Sequence, residues 1–360
     1  MKGTVLAVET GPVVRRAALQ RDGVLEAVEV DRLTDHQPRV GAIYRCRITG
    51  KITGIGAATA DMGGGITGFF PDAADLSPGQ SLLAEVRREA DGEKAVRLSP
   101  AIQLRSAHLV FTPARPGINI SRKIIDENER ARLHAALAPF AAQGGFVVRT
   151  DARNASEDTM REQAGHLVRQ YHRLAEDSSL GQRAPAPDAV ARIVAGVGHI
   201  DTVMADEASA ETLPATLTPR IDPSPFETLD LDDVLDALVS PRHDLAEGWI
   251  SIDSTPALVA IDVNTGSATG GNATLRVNLD AARAIPRLLS LKKLGGLIVV
   301  DFAGAPKGDD RARIAAVFQQ SVSRYLEGSK VLGWGPAGLL ETACRRPGRS
   351  LAMLLLENPR

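Results

Sequence analysis

Two aliphatic segments of this chain each end in an aspartate. Residues 257–261 lead into Asp262, and residues 297–300, after a Gly-Gly pair, lead into Asp301. Aliphatic runs of this length predict strands covered on both faces. A carboxylate at the edge of such an environment needs a cation or hydrogen bonds to offset its desolvation. If the strands lie side by side, the two carboxylates can serve as oxygen ligands for Mg²⁺, which suits metal-dependent phosphodiester chemistry.

A second interpretation of the same aspartates stays open at this point. An aspartate at a strand end that is followed by glycine or asparagine is often only a turn residue or a helix N-cap. The spacing does not separate the two interpretations, so the rest of the sequence has to be considered.

Length and composition indicate two to four compact units with well-formed cores, since the chain has 360 residues and is 44% hydrophobic. The net charge of −2 gives no global attraction to nucleic acid. The charge is unevenly distributed, however: residues 281–360 hold 13 Lys or Arg against 6 Asp or Glu, and residues 183–240 hold 3 against 11. Basic segments could therefore converge on an anionic ligand, or they could be ordinary solvated helix faces.

The remaining composition favours a cytoplasmic protein with no membrane segment. Cys46 and Cys344 are far apart and lack partners at zinc spacing, so neither a disulfide framework nor a structural zinc site is expected. The first residues lack the apolar core of a signal peptide. The sequence contains no Walker loop, no Gly-x-Ser-x-Gly elbow and no paired zinc histidines, which argues against those enzyme classes.

Short glycine-punctuated strands over residues 40–99 predict a small β-barrel. Its first strand alternates in a way that we expect to place Tyr44 and the cations Arg45, Arg47 and Lys51 on a solvent face, and Phe69 and Phe70 follow a glycine cluster. Exposed aromatics beside cations stack single-stranded bases, although a phenylalanine pair is as readily part of a core.

Other segments give simpler predictions. Residues 1–36 predict three short strands, residues 156–176 a helix, residues 178–190 a linker, and residues 280–293 a helix in which Pro286 marks a kink or the first turn.

Several motifs in a consistent order resemble the ribonuclease E/G family over nearly the whole chain. Residues 258–266 and 294–302 look like the two metal-binding strands of that family, residues 43–71 like its S1 domain, residues 146–150 like the strand that senses a 5′-monophosphate, and residues 338–341 like a late catalytic segment.

The resemblance implies an α/β multidomain fold. It comprises an RNase H-like unit, an inserted S1 domain (an OB-type β-barrel) with a 5′-sensor region, and a DNase I-like α/β catalytic domain. The expected boundaries are 1–36 and 195–238 for the RNase H-like unit, 37–100 for the S1 domain, 101–194 for the sensor region and 239–360 for the catalytic domain.

The resemblance also implies a Mg²⁺-dependent endoribonuclease, with Mn²⁺ as an alternative ion. It would cut single-stranded RNA to 5′-phosphate and 3′-hydroxyl ends in rRNA maturation or mRNA decay. Asp262 and Asp301 would hold the metal, Asn264 would position one of these groups, and Arg149 and Thr150 would bind the 5′-phosphate. The residues expected to contact RNA are Tyr44, Arg45, Lys51, Phe69, Arg122 and Lys123.

Some positions depart from the family pattern. Ser267, Gly270 and Asn272 stand where arginines and a longer connector are usual, Gly304 where a second acid often follows, Thr59 at an S1 aromatic position and Ser106 at a pocket glycine. The zinc-link cysteines and the C-terminal scaffold tail are also missing, so a short form is expected, and a homodimer could form only without the zinc link. These departures motivate an alternative, an RNA-binding S1 protein with reduced or lost cleavage.

Overall fold

The computed structural model describes residues 2–90, 94–267 and 272–356, and within them the chain forms the following elements. The strands are β1 (Thr4–Thr10), β2 (Val14–Arg21), β3 (Val24–Arg32), β4 (Ile43–Ile52), β5 (Ala57–Asp61), β6 (Thr67–Phe70), β7 (Ser81–Arg88), β8 (Val96–Ser99), β9 (Leu104–Arg105), β10 (Leu109–Thr112), β11 (Ile118–Ile120), β12 (Gly145–Val148), β13 (Gly181–Ala184), β14 (Thr202–Ala205), β15 (Pro219–Ile221), β16 (Arg242–Asp244), β17 (Trp249–Ser254), β18 (Leu258–Asn264), β19 (Gly296–Asp301), β20 (Lys330–Trp334) and β21 (Leu340–Cys344). The helices are α1 (Glu127–Leu137), α2 (Glu157–Glu176), α3 (Ala189–Val194), α4 (Glu207–Ala210), α5 (Pro225–Thr228), α6 (Leu231–Val239), α7 (Ala273–Leu291), α8 (Gly308–Tyr325) and α9 (Leu351–Leu356).

The chain divides into two compact units, one made of Met1–Thr34 with His199–Arg360 and the other of Asp35–Gly198. The first unit contains a sheet in the order β15-β14-β1-β2-β3. The hairpin strands β1 to β3 lie where the sequence predicts three short strands. Strand β1 also pairs in parallel with β14, in the register Val5 to Thr202, so this sheet joins distant parts of the chain.

The second sheet of this unit has the order β16-β17-β18-β19-β21-β20, with β18 and β19 parallel to each other. Side chains of alternate residues, such as Val259 and Ile261 of β18, are buried in a core shared with the apolar faces of α7 and α8. The intervening side chains face away from that core, and Leu297 is 41% exposed. The prediction that both strands are covered on both faces is therefore wrong, because helices cover one face only.

In the second unit, five of the described strands close into an OB-like barrel. Their order is β4-β5-β6-β8-β7, and β7 pairs back with β4 to complete the circuit. The interior holds small and medium side chains such as Ala58 and Ala60 around Phe70 and Met62. The predicted linker at residues 178–190 is wrong in part, because Gly181–Ala184 forms β13 and hydrogen-bonds to β4 outside this circuit. Backbone pairing at a free strand edge outweighed the loop-like composition of that segment.

This unit also contains a second layer, in which helices α1 and α2 pack on a sheet in the order β11-β12-β10-β9. Helix α2 begins at the predicted place, since the Ser156 side chain accepts a hydrogen bond from the Thr159 backbone N–H. Phe111 and Phe146 meet in the core of this layer with ring centroids 5.0 Å apart.

Helix α7 differs from its prediction at both ends. It begins at Ala273, seven residues before the predicted start, so Pro286 lies in its interior and not in the first turn. The helix ends at Leu291, two residues before the predicted end, and Lys293 follows with a φ of 55°. Burial of Pro286, Ile285 and Leu289 in the core offsets the hydrogen bond that the proline removes.

Candidate active site and RNA-binding surfaces

The two strand-end aspartates are direct neighbours in the sheet. Strands β18 and β19 run parallel in the register Leu258 to Leu297 through Asp262 to Asp301, as the sequence prediction of adjacent strands requires. Paired residues of neighbouring strands lie about 5 Å apart and point to the same face. Both aspartates therefore project from the carboxyl ends of adjacent strands onto the face opposite the helices.

Asn264 supports one of these carboxylates. Its side-chain Nδ2 donates a hydrogen bond to Oδ2 of Asp262 at 2.6 Å, since the two residues are two positions apart on the same strand face. The structure thus brings Asp262, Asn264 and Asp301 together, and the amide fixes the orientation of one carboxylate oxygen.

Asp262 and Asp301 are both exposed, so their charges are solvated by water. The argument that a cation or hydrogen bonds must offset their desolvation is accordingly wrong, because it assumed strands covered on both faces. Within the described residues no group of three His, Cys, Asp or Glu side chains is placed to hold a metal ion. The pair still fits Mg²⁺, an ion that binds oxygen through one or two carboxylates and completes its shell with water and substrate phosphate.

Sequence reasoning missed other residues on this open face. Ser251 is the direct partner of Asp262, and its hydroxyl donates to Asp253 at 2.9 Å. Glu341 of β21 lies opposite Val299, two residues before Asp301 on its strand. The alternation of apolar and polar residues over 250–253 in β17 is the signal that could have identified a half-exposed strand here.

Gly304 lies where the resemblance leads one to expect a second acid, and its backbone disfavours any side chain there. Gly304 has a φ of 71°, and a Cβ atom at this residue would lie 2.9 Å from Cγ2 of Thr274. Asn272, in the altered connector, has a φ of 68°, which asparagine tolerates better than most residues. Gly270 lies outside the described residues.

The predicted 5′-phosphate residues lie together at the end of β12. The Arg149 guanidinium donates to the carbonyl of Ala107 at 3.4 Å and to the carbonyl of Ala195, and it forms an ion pair of 3.5 Å with Asp151. The Thr150 hydroxyl bonds to the Ser121 hydroxyl at 2.9 Å. Any phosphate bound by Arg149 would have to share or exchange these contacts.

The flanks of this region carry further groups. Arg122 and Lys123 directly follow Ser121 and are exposed. Ser106, at the position of the family's pocket glycine, donates from its hydroxyl to Gln163 at 2.8 Å. Its side chain therefore occupies space that a glycine would leave open.

The prediction that Tyr44 lies on the solvent face of the barrel is wrong. Its side chain is 5% exposed and belongs to the barrel core with Cys46 and Ile48, while Arg45 and Arg47 point the other way. Burial raises the pKa of the Tyr44 hydroxyl, which donates to Gln182 at 3.3 Å. Tyr44 and the cations Arg45 and Arg47 occupy opposite parities of one regular stretch of strand, so they cannot share a face.

The other barrel residues predicted to contact RNA differ in their exposure and in the contacts that they already make within the protein. Arg45 donates to the Ala175 carbonyl at 2.7 Å and to that of Asp177 at 3.2 Å, and so caps the carboxyl end of α2. Lys51 is exposed and donates to the Ala74 carbonyl at 3.0 Å. Phe69 is half-buried and is paired across the sheet with Thr59 on one side and with the exposed Arg97 on the other. Arg97 was not predicted.

Fold and site together define a mixed α/β protein with an OB-like barrel and, in a separate unit, paired aspartates at the ends of adjacent parallel strands. The sequence profile of the Ribonuclease E/G family matches residues 103–213 and 197–347, which is more than half of the chain. The chain belongs to this family, as its motifs predict.

Individual relatives agree with the profile. The chain is 26% identical to Ribonuclease G of Salmonella typhimurium, with 97% of this chain and 81% of the relative covered. It is 28% identical to Ribonuclease G of Haemophilus influenzae, with 99% and 82% covered. It is 27% identical to Ribonuclease E of a Nostoc species, with 93% of this chain and 55% of that relative covered.

Among the residues that the structure describes, no helix is both long enough and apolar enough to span a membrane.

Proposed function

We propose that this member of the ribonuclease E/G family is a Mg²⁺-dependent endoribonuclease that cleaves single-stranded RNA to 5′-phosphate and 3′-hydroxyl ends. The observation that carries the proposal is the register of Asp262 opposite Asp301 at the carboxyl ends of two parallel strands. Family membership and relatives named Ribonuclease G and Ribonuclease E support the same activity. RNA processing, such as rRNA maturation or mRNA decay, is the corresponding role.

The proposed domains follow the same resemblance. The sheet β15-β14-β1-β2-β3 would be an RNase H-like unit, the barrel an S1 domain, the α1–α2 layer a 5′-sensor region, and the sheet β16-β17-β18-β19-β21-β20 with α7 and α8 a DNase I-like catalytic domain.

The side chains of the site have distinct roles in this proposal. Asp262 and Asp301 would hold Mg²⁺ (or Mn²⁺), which when bound supplies positive charge and an activated water to phosphodiester hydrolysis. Asn264 keeps Oδ2 of Asp262 in one orientation through its 2.6 Å hydrogen bond. Because both carboxylates are exposed, the phosphate of a substrate can approach them without first displacing protein.

Substrate binding would use groups outside the aspartate pair. Phe69 and Arg97 would present an aromatic face and a cation to single-stranded bases on the barrel. Arg149 and Thr150 would bind a 5′-monophosphate, with Arg122 and Lys123 adding positive charge.

The test is cleavage of a labelled, 5′-monophosphorylated A/U-rich RNA by purified protein, with Mg²⁺ or with EDTA. We expect internal cuts that need both Mg²⁺ and Asp262 and that are lost in Asp262→Asn. Asp280→Asn is the matched control, since this acid lies on helix α7 in an ion pair with Arg283, and it should cleave like the wild type.

Cleavage in EDTA, or products that end in a 2′,3′-cyclic phosphate, would contradict the proposal. A mobility shift without any cut would favour the alternative, an RNA-binding protein that has lost cleavage.

A further inference from the structure

Trp249 lies on the open face of the sheet beside the aspartate pair. It is the direct cross-strand partner of Asn264, the residue whose amide binds the Asp262 carboxylate. Directly opposed residues of antiparallel strands point to the same face. Trp249 therefore shares its face with Asn264 and Asp262.

The backbone fixes the indole close to this site. Gly248, just before it, has a φ of 83°, and a Cβ atom there would lie 2.1 Å from the Asn264 carbonyl oxygen. The two chain segments thus approach as closely as glycine allows. Trp249 and Asp262 are separated by one cross-strand step and two residues of strand, and two strand residues span roughly 7 Å.

The indole contacts a cation and lies outside the core. The Arg242 guanidinium carbon is 4.6 Å from the centroid of the Trp249 ring, and Asp244 binds the same guanidinium at 3.0 Å. Trp334, the other tryptophan of the chain, packs against the core, with its ring 5.7 Å from that of Phe302. Among the described residues, Trp249 is half-buried and does not belong to that core.

We propose that Trp249, with Arg242, is a stacking site for a nucleobase of single-stranded RNA, next to the phosphate that the aspartate pair would hold. An aromatic ring with an adjacent arginine stacks bases of any identity, because every base has a π-face. The base would lie on the indole face that Arg242 does not cover, and it would orient the adjoining phosphodiester toward Asp262. Base stacking on Trp249 does not depend on the proposed nuclease activity. Only the position of this site next to a phosphodiester that is cleaved rests on the proposed function.

The experiment combines protein and RNA changes. The probe is a 5′-monophosphorylated A/U-rich decamer, together with a set of decamers that each carry one abasic nucleotide. Binding is measured by fluorescence anisotropy in EDTA, and cleavage is measured in Mg²⁺. The variants are Trp249→Ala and Trp249→Phe. The matched control is Tyr325→Ala, since Arg324 lies 5.0 Å from the Tyr325 ring on α8, away from the open face.

We expect Trp249→Ala to bind the intact decamer about 5- to 150-fold more weakly, the range expected for one stacked base. Trp249→Phe should recover most of the affinity, which also establishes that the site folds. For the wild type, an abasic nucleotide at one position of the decamer should weaken binding. For Trp249→Ala, that abasic decamer should bind as well as the intact decamer. Tyr325→Ala should behave like the wild type toward every decamer.

Two results would overturn the stacking site. One is an unchanged affinity of Trp249→Ala for the intact decamer. The other is that Trp249→Ala binds every abasic decamer more weakly than the intact one, as the wild type does. The two proposals can fail separately. Wild-type protein that shows the abasic signature in EDTA but never cleaves retains the stacking site and loses the nuclease. If Trp249→Ala cleaves normally and also binds every decamer like the wild type, the nuclease is retained and the stacking site is lost.

Discussion

Asn278 holds the backbone of Ala303 through both polar groups of its side-chain amide. Nδ2 donates to the Ala303 carbonyl at 2.9 Å, and Oδ1 accepts from the Ala303 N–H at 3.0 Å. Asn278 is 1% exposed and belongs to α7, while Ala303 lies two residues after Asp301. A buried amide on a helix thus fixes the segment that leaves β19 directly after one of the proposed metal ligands.

We expect Asn278→Ala to lower the free energy of unfolding by about 2–4 kcal/mol, because two partly buried backbone groups of Ala303 lose their partners. Cleavage should fall as well, since Asp301 loses its fixed position. Asn264→Ala is the comparison, because loss of its exposed hydrogen bond to Asp262 should lower stability by no more than about 1 kcal/mol. Urea titrations of the two variants measure this difference, and equal stability losses would argue against the role of Asn278.

Asp301→Asn should abolish cleavage while leaving the fold intact. The side chain is exposed, so the stability change should stay within about 0.5 kcal/mol. The loss in turnover should be on the order of several kcal/mol in activation free energy, because a metal ligand is removed. Parallel measurement of thermal unfolding and of RNA cleavage checks both expectations. A variant that unfolds early would instead identify Asp301 as a structural turn residue.

Arg149→Ala should erase any preference for 5′-monophosphorylated over 5′-hydroxyl RNA. The guanidinium contacts the carbonyls of Ala107 and Ala195 and lies 3.5 Å from Asp151, so its removal also loosens that corner. For this reason the informative quantity is the ratio of cleavage rates on the two substrates. If both rates fall by the same factor, the assignment of a phosphate sensor fails and Arg149 is structural.

Phe69→Ala should weaken RNA binding by about 1–3 kcal/mol with little change in stability, as expected for a ring that stacks on a base. Tyr44→Ala should show the opposite pattern, with a stability loss of about 3–5 kcal/mol from a cavity in the barrel core. Anisotropy and denaturant titrations on the two variants separate the effects. A stability loss in Phe69→Ala with unchanged affinity would place Phe69 in the core.

Stability should fall in mild acid because of His243. Burial and the nearby Lys292 ammonium lower the pKa of His243 from 6.5 to about 4. Between these values the unfolded chain binds more protons than the folded one, so stability is present above pH 6.5 and is lost as pH falls toward 4. The urea midpoint should drop between pH 7 and pH 5, and the drop should be smaller in His243→Asn. Identical pH profiles would show that other groups dominate this range.

Much of the sheet that carries Asp262 and Asp301 could be predicted from the sequence. The two aliphatic runs are long enough to identify β18 and β19, and their terminal aspartates fall in register. Their coverage could not be predicted, because an aliphatic run looks alike whether one face or both are buried. The number of buried faces is decided by where α7 and α8 pack on the sheet. That packing depends on contacts between residues distant in sequence.

The errors at the barrel and its edge have different physical origins. Tyr44 was assigned to the solvent face of β4 but belongs to its core face. A tyrosine suits either face, and a shift of one residue along a strand moves a side chain from one face to the other. Strand β13 has the composition of a linker and forms only because β4 offers an unpaired edge. Trp249 was missed because its importance comes from the cross-strand partner Asn264, which local sequence does not reveal.

The pairing of β1 with β14 has a consequence for synthesis of the protein. Val5 cannot meet Thr202 until nearly 200 further residues have left the ribosome, which takes about 10–40 s at elongation rates of roughly 5–20 residues per second. The Asp35–Gly198 unit contains its own cores and can fold during that time. The N-terminal hairpin meanwhile exposes the edge of β1 to chaperones or to other nascent chains. Completion of the sheet should therefore be the late step of folding, and the yield of active protein should depend on how fast residues 35–201 are translated.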